Sequence, residues 1–584
     1  MITENGMRVL RARYLRRDPL GQVIEAPQQM FERVARAVSE AELLHGTAAD
    51  ARQWEERFHH MLSALYFLPN SPTLMNAGTP LGQLSACFVL PIEDTMESIL
   101  GTLRDAALIQ RTGGGTGFSF SRLRPAGDPI ASTGGSSSGP VSFMRIYDCA
   151  TENIKLGGRR RGANMGVLRV DHPDIEEFIH AKRNGISFPN FNLSVGATDE
   201  FMSAVESDGE FALRHPADRR EIRKVSARAL FDDICESAWA SGDPGLIFLD
   251  AIARTNPLPG CGEIESTNPC GEVPLLPYES CNLGSINLTH FVQQRDGRAA
   301  VDFDRLREQI DAGVRFLDDV ISVNRFPLGA TARQTLASRK IGLGVMGFAE
   351  LCILLGISYA SEQAVLLAEN LMEFIAREAK LTSARLAEQR GVFPDWNMSI
   401  HKAAGQRLRN ATQTSIAPTG TISIIAGTSS SIEPLFALAY RRHVLGDQAL
   451  VEVNPLILRH LERLGHDTAK SRESIASTGR LRPTDEINGL FLTALEISPE
   501  QHVRIQAAFQ KHVDNAVSKT VNLPTEASAQ DVKAAYLLSY RLGCKGVTVF
   551  RYGSRSETTL ELGLAESLEE REYFTKCDPG ACKL

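Results

Sequence analysis

The chain has 584 residues, 43% of them hydrophobic, with 63 Lys plus Arg against 70 Asp plus Glu and a net charge of −7. That length buries a large core, and the acidic balance argues against a dedicated nucleic-acid binder, which carries a basic excess. No apolar run approaches the roughly 18 residues of a membrane helix, and the start, MITENGMRVLRARYLRRDPLG, lacks the apolar centre of a secretory signal, so the cytoplasm is the expected compartment.

Residues 1–64 read as a helical N-terminal region, because QQMFERVARAVSEAELLHG and ADARQWEERFHHMLSALYF have helical spacing and charged faces. From 65 to 555 the texture changes to short β-branched segments alternating with helical ones. Strands are expected at SACFVLP, TGFSFSRL, GANMGVLRV, FNLSVGA, GLIFLD, CNLGSINLT, KIGLGVMGF, TSIAPTGTISII, KTVNLP and GVTVFRY. One long helix is expected from Glu362, with Leu367, Leu371, Phe374 and Leu381 as its buried stripe and Gly391 as its C-cap. Strands alternating with helices define the α/β class, and about ten of them suggest a large barrel. TGGSSSG (133–139) reads as a flexible loop inside the domain. Residues 556–584 read as a mobile acidic tail ending in two cysteines.

Ten cysteines in so long a chain are too dilute for a disulfide framework, and most are expected to be buried apolar fillers. The chain has no G-x-x-x-x-G-K-[ST], no H-E-x-x-H and no paired C-x-x-C, so neither a P-loop nor a zinc site is expected, and TGGGTG (112–117) does not fit G-x-G-x-x-G. The segment STNPCGEVPL (266–275) stands out. Read as extended chain, it puts Asn268, Cys270 and Glu272 on one face and Pro269 and Gly271 on the other. A carboxylate neighbour raises a thiol pKa, so Cys270 is badly placed as a thiolate nucleophile. A neutral thiol has a weak S–H bond and can give up a hydrogen atom. Glu272 could then take a proton from a substrate hydroxyl while Asn268 holds a neighbouring one. The alternative is a turn at a strand end, with Asn268 and Glu272 bonding backbone and Cys270 buried.

Three further features bear on chemistry. Pro418, Thr419, Gly420 and Thr421 could expose backbone N–H groups and hydroxyls to a phosphate without a lysine; the alternative is an ordinary turn opening a helix. Cys87 and Cys281 lie in strand-like segments, and Cys281 follows Cys270 by eleven residues, enough to return on a neighbouring strand. Cys577 and Cys582 enclose four residues that include Pro and Gly, and an exposed pair in a reducing compartment suggests thiol exchange rather than a structural bridge, against weak metal binding or chance.

Taken together, NPCGE, PTGT, SACFVLP, CNLGSINL and GGRRRGAN, in their order along the chain, resemble the catalytic subunit of ribonucleotide reductase, and more narrowly the class II enzymes that depend on adenosylcobalamin. The resemblance implies a ten-stranded α/β barrel with a thiyl cysteine on a loop at its centre. It makes Cys270 the thiyl site, Glu272 the base for the ribose 3′-hydroxyl and Asn268 its hydrogen-bonding neighbour. Cys87 and Cys281 become the pair that supplies two electrons, and Cys577 and Cys582 the tail pair that re-reduces them, with a thioredoxin-like reductant behind. Substrate contacts fall on Ser71, Ala86, Cys87, Gly115, Asn268 to Glu272 (with Pro269 and Gly271) and Pro418, Thr419, Gly420, Thr421 and Ile422. A deoxynucleoside triphosphate effector would sit near Asp94 and Arg124 at the interface of a homodimer, and AKRNGISFPN (181–190) matches the loop between effector and substrate base. STGGSSSGP and GGRRRGAN are candidates for the face that meets the cobalamin, with a solvated loop and a local anion site as the alternative. The implied activity is reduction of ribonucleoside diphosphates, without a protein-bound metal centre of its own. A class I subunit, the alternative, relays its radical from a partner protein through adjacent tyrosines; the corresponding stretch GCKGVTVFRYGSR has Tyr552 alone. FRYGSR also lacks the class III glycyl-radical pattern. The short N-terminus leaves no room for the ATP-sensing domain of some members, and the four-residue spacing of the tail pair exceeds the commoner two.

Overall fold

The computed structural model describes residues 2–131, 134–154, 162–183, 185–445, 448–482, 487–555 and 560–564. At its centre lie ten strands: β1 Phe67–Pro69, β2 Cys87–Leu90, β3 Gly115–Ser119, β4 Asn164–Arg169, β5 Phe191–Ala197, β6 Gly245–Phe248, β7 Ser280–Asn287, β8 Ile341–Met346, β9 Thr520–Leu523 and β10 Gly546–Arg551. Strands β2 to β6 run parallel, each beside the next, as helical crossovers between them require. Beyond β6 the direction reverses: β10 is antiparallel to β6, and β9 is parallel to β10. On the other side β7 is antiparallel to β2 and parallel to β8, while β1 pairs with the far half of β7. Residues 414–416 close the ring, since Thr414 bridges Leu343 of β8 and Ile416 bridges Val517 just before β9. The wall is thus an α/β barrel of two opposed sets of parallel staves.

Nine of the ten strands fall where the sequence pattern places them. β1 escapes that pattern because three residues ending in a proline show no period. The segment 414–425 is corrected: it makes single bridges at Thr414 and Ile416 and then turns into a short helix, Ile422–Ala426. Pro418 offers no N–H to a ladder, and Thr419 adopts φ +51, outside the strand region. This stave lies so close to β8 that a Cβ on Gly344 would stand 2.3 Å from the carbonyl oxygen of Ser415.

Around the barrel pack α1 (Pro27–Ser39) and α2 (Ala48–Ser63) of the N-terminal region, α3 (Phe303–Val323) and α4 (Glu362–Arg390). A buried charge cluster ties them together. Asp318 on α3 faces Arg339 at 2.7 Å and Arg390 at 2.9 Å, and Arg390 also reaches Asp319 and Glu42, each at 2.6 Å. Burial of so many charges is tolerable only because each finds a partner. Gly391 ends α4 at φ +83, as its pattern predicts. Leu371 and Phe374 are buried, but Leu367 is half-buried and Leu381 is 48% exposed, a correction to the expected stripe. A seven-residue step drifts about 20° per heptad around a straight helix, so a strict heptad walks off the buried face.

Two stretches taken as loop or tail carry pairing: Gly135–Ser136 pairs with Pro129–Ile130, and Leu560–Leu562 adds a strand beside Ala439–Leu445. No helix among the described residues is long and apolar enough to cross a membrane.

Candidate active site

Inside the barrel stands a hairpin. Ser266–Thr267 pairs antiparallel with Pro274–Leu275, and the loop between them carries Asn268 to Val273. It leans on β3 through two glycines on the same face. A Cβ at Gly117 would lie 1.7 Å from the carbonyl oxygen of Thr267, and one at Gly115 would lie 2.9 Å from Cγ of Pro269. At the tip the N–H of Gly271 donates to the Asn268 carbonyl at 3.0 Å, and Gly271 takes φ +83. The N–H of Val273 donates to Oδ1 of Asn268 at 3.0 Å, and Nδ2 of Asn192 on β5 donates to the Pro269 carbonyl at 2.8 Å. Extended alternation is therefore not what groups Asn268, Cys270 and Glu272. The segment is the turn held as the alternative, with one difference: Asn268 and Glu272 are buried at its base while Cys270 is exposed at its tip.

Beside the hairpin opens a cavity of about 260 Å³. Ser71, Ala86, Cys87, Gly115, Asn268, Pro269, Cys270, Glu272 and the run Pro418 to Ile422 all line it; Gly271 does not, facing a second cavity instead. Cys87 and Cys281 are directly opposed across β2 and β7. Opposed residues of an antiparallel pair have Cα atoms about 4.5–5.5 Å apart, within the span a disulfide bridges. None of the cysteines among the described residues is in a disulfide. Cys281 is fully buried behind Cys87, whose sulfur receives Nδ2 of Asn268 at 3.2 Å.

The electrostatics follow from burial. Cys87 is held well above the usual thiol range, by desolvation first and by the Glu272 carboxylate second, and burial raises Cys281 likewise. Burial lifts the Glu272 carboxyl to about 7, with Asn268 pulling the other way, and its Oε2 has no hydrogen-bond partner among the described residues. The site thus holds two protonated thiols and a carboxyl poised near neutrality.

At the far end of the cavity Thr419 shapes the PTGT turn: its Oγ1 accepts from the N–H of Ser431 at 2.7 Å and its carbonyl from the N–H of Ser423 at 2.9 Å. Ser71 shares a hydrogen bond of 2.7 Å with the Tyr14 hydroxyl, which brings the N-terminal region to the cavity wall. Asp94 and Arg124 lie outside this cavity and pair with each other, Nε to Oδ2 2.6 Å. In the 181–190 loop Lys182 is anchored to Asp243 at 2.9 Å and to the Phe191 carbonyl. Cys577 and Cys582, and most of GGRRRG, lie outside the described residues. Sequence reasoning missed Tyr14, Asn192 and Gly117. Asn192 was findable as the polar member of FNLSVGA, and Gly117 as the same-face partner of Gly115.

A second cavity, about 470 Å³, also borders the hairpin tip, at Pro269, Cys270 and Gly271. Pro269, Cys270 and Pro418 belong to both walls. It is lined by Met165, Asn192, Phe436, Asn522, Thr548 and Tyr552 among others, and it shares Phe436, Thr520, Asn522 and Leu560 with a third space of about 570 Å³.

Fold and site define a barrel enzyme built around thiol chemistry. The family model described as ribonucleotide reductase, barrel domain, matches residues 85–550, and that described as ribonucleotide reductase, all-alpha domain, matches residues 1–82. The chain belongs to the ribonucleotide reductase family. It is 51% identical over 587 aligned residues to the vitamin B12-dependent ribonucleoside-diphosphate reductase of Mycobacterium tuberculosis, covering 98% of this chain and 83% of that one. It is 47% identical to the protein of the same description from Thermoplasma acidophilum, covering 98% and 82%. Among solved structures, the class Id ribonucleotide reductase alpha subunit of Actinobacillus ureae aligns with TM-score 0.76 at 24% identity over 94% of this chain and 97% of that one, a likeness of fold.

Proposed function

We propose that this chain reduces ribonucleoside diphosphates to 2′-deoxyribonucleotides with adenosylcobalamin as its radical source. One observation carries the reading: Cys270 belongs to the walls of two cavities, one of which also holds Cys87, Asn268 and Glu272. The relatives named as vitamin B12-dependent support the cofactor and weigh against the class I alternative. Adenosylcobalamin, when bound, supplies an organic radical by homolysis of its cobalt–carbon bond. The second and third spaces together offer the room and mixed polarity it needs, with Ser194, Asn522 and Thr548 for its polar groups and Met165 and Phe436 for its apolar faces.

On the substrate side the residues act in order. Cys270 gives up its hydrogen atom, and the resulting thiyl takes the 3′-hydrogen of the ribose. Glu272 accepts the 3′-hydroxyl proton; a base with a pKa near 7 suits that task at neutral pH. Cys87, the member of the thiol pair that lines the cavity, is held protonated and donates its proton to the departing 2′-hydroxyl, which leaves as water. Cys87 and Cys281 lose two electrons and join as a disulfide; those electrons and the Cys281 proton reduce the substrate radical at carbon 2′, Glu272 returns its proton to the 3′-oxygen, and Cys270 returns the 3′-hydrogen and is left as the thiyl. The pocket's part is orientation. Cys577 and Cys582 then re-reduce the pair, drawing on a thioredoxin-like protein.

The assembly we favour is a homodimer. Met96 and Leu100 on the helix Met96–Arg111 and Ile146 on Gly139–Asn153 leave apolar side chains exposed next to Asp94, where a deoxynucleoside triphosphate effector would bind with Arg124. Supply of deoxynucleotides for DNA synthesis suits a cytoplasmic enzyme. The test is turnover of each ribonucleoside diphosphate by the purified chain with adenosylcobalamin and a dithiol. Product formed with no second protein is the expected result; dependence on a partner subunit would favour class I.

A further inference from the structure

The substrate cavity contains one polar side chain without a task. Ser285 on β7 is 1% exposed, lines the cavity, and its hydroxyl has no hydrogen-bond partner among the described residues. A buried hydroxyl left unpaired is costly, and native proteins tolerate few of them. Its neighbours in register cannot relieve it: Gly344 on β8 has no side chain, and Leu68 on β1 is apolar. Of the other hydroxyls at this end, Ser71 pairs with Tyr14 and Thr419 accepts from the N–H of Ser431.

Position along the strand says which part of a ligand it meets. Cys281, Leu283 and Ser285 share the inward face of β7, and four residues of strand put Ser285 about 13 Å beyond Cys281. It therefore lies away from the reacting thiols, toward β1, on which the helix Ile422–Ala426 that follows the PTGT turn packs. No Lys or Arg is among the described residues lining this cavity. Among those residues a phosphate would meet neutral donors, of which the Ser285 hydroxyl is one. We propose that Ser285 Oγ donates a hydrogen bond to the phosphate end of the nucleotide substrate. This deepens the assignment of a ribonucleoside diphosphate substrate and rests on it.

The test compares wild type with Ser285→Ala in the full chain. Binding of CDP and of cytidine is measured by calorimetry, KM and kcat by turnover with adenosylcobalamin, and thermal unfolding without nucleotide. The expected result is CDP affinity weakened about tenfold, the size of a hydrogen bond to a charged group. Cytidine affinity and kcat should stay within about twofold, the pattern of lost uniform binding, and the nucleotide-free melting temperature should hold or rise. Unchanged CDP affinity overturns the proposal. So does an equal loss for CDP and cytidine with a lowered melting temperature, which marks a structural serine. If wild type binds CDP but does not reduce it, the functional reading fails while the CDP comparison still decides the role of Ser285. If wild type binds no CDP, both fail.

Discussion

Asn268 donates its side-chain amide to the sulfur of Cys87, Nδ2 to Sγ 3.2 Å, while its Oδ1 receives the N–H of Val273. One side chain thus braces the turn that presents Cys270 and also touches the thiol that faces the cavity. This amide links the hairpin to β2 of the barrel wall, so the distance from tip to thiol pair does not depend on the loop alone.

Cys270→Ser is expected to abolish reduction and spare binding. Serine keeps the size and the turn, but its O–H bond is too strong to yield a hydrogen atom. Turnover should fall below detection while the affinity for ribonucleoside diphosphate changes less than about twofold, about 0.4 kcal/mol. Residual reduction in the variant would overturn the thiyl assignment.

Glu272 sets a pH dependence. With its carboxyl raised to about 7, the ionised base is scarce at pH 6 and abundant at pH 8, so kcat/KM should climb with pH through an inflection near 7. Stability runs the other way. A carboxyl whose folded pKa exceeds its unfolded value of 4.5 contributes stability that is full below 4.5 and lost as pH rises through 7. The gap corresponds to on the order of 3 kcal/mol. Glu272→Gln should therefore be inactive yet melt higher than wild type at pH 8, with the difference vanishing by pH 5. A variant less stable than wild type at pH 8 would contradict a carboxylate raised by burial.

Gly117→Ala tests how the hairpin is seated. Its Cβ would overlap the Thr267 carbonyl, which is backbone and cannot swing aside. Overpacking of this kind costs about 1–3 kcal/mol, and here the strain displaces the loop carrying Cys270. Denaturant titration should show that loss together with a collapse of kcat, whereas Gly101→Ala, with open space around it, should show neither.

Asn192→Ala removes a side-chain anchor on the Pro269 carbonyl. Asn192 is a positioning residue, and misplacement by about 1 Å costs about a hundredfold in rate. The expected signature is a lowered kcat with nucleotide KM unchanged and partial recovery in Asn192→Gln. A rise in KM alone would place Asn192 in substrate binding instead.

Replacing Cys577 and Cys582 together by Ser should stop turnover driven by thioredoxin and leave turnover with a small dithiol intact. Equal activity with both reductants would remove the tail from the electron path.

Much of this was legible in the sequence, for identifiable reasons. β5 was found because FNLSVGA is apolar and β-branched, and PTGT and NPCGE were found because rare residue types sit close together. The register that opposes Cys87 to Cys281 was not, because pairing 194 residues apart depends on how the barrel closes. The turn in NPCGE defeated strand alternation because Asn268 satisfies the backbone of Val273 locally, which no periodicity reports. Ser285 lies within CNLGSINL and Asn192 within FNLSVGA, but only their surroundings in the fold give either side chain a task.

Cys270, Pro269 and Pro418 each line both cavities. On the proposed reading only a hydrogen atom need pass between the two, so the nucleotide would be kept apart from the chemistry that initiates the reaction. The two chambers are then modular: the initiating side can be remodelled while the reducing side stays as it is.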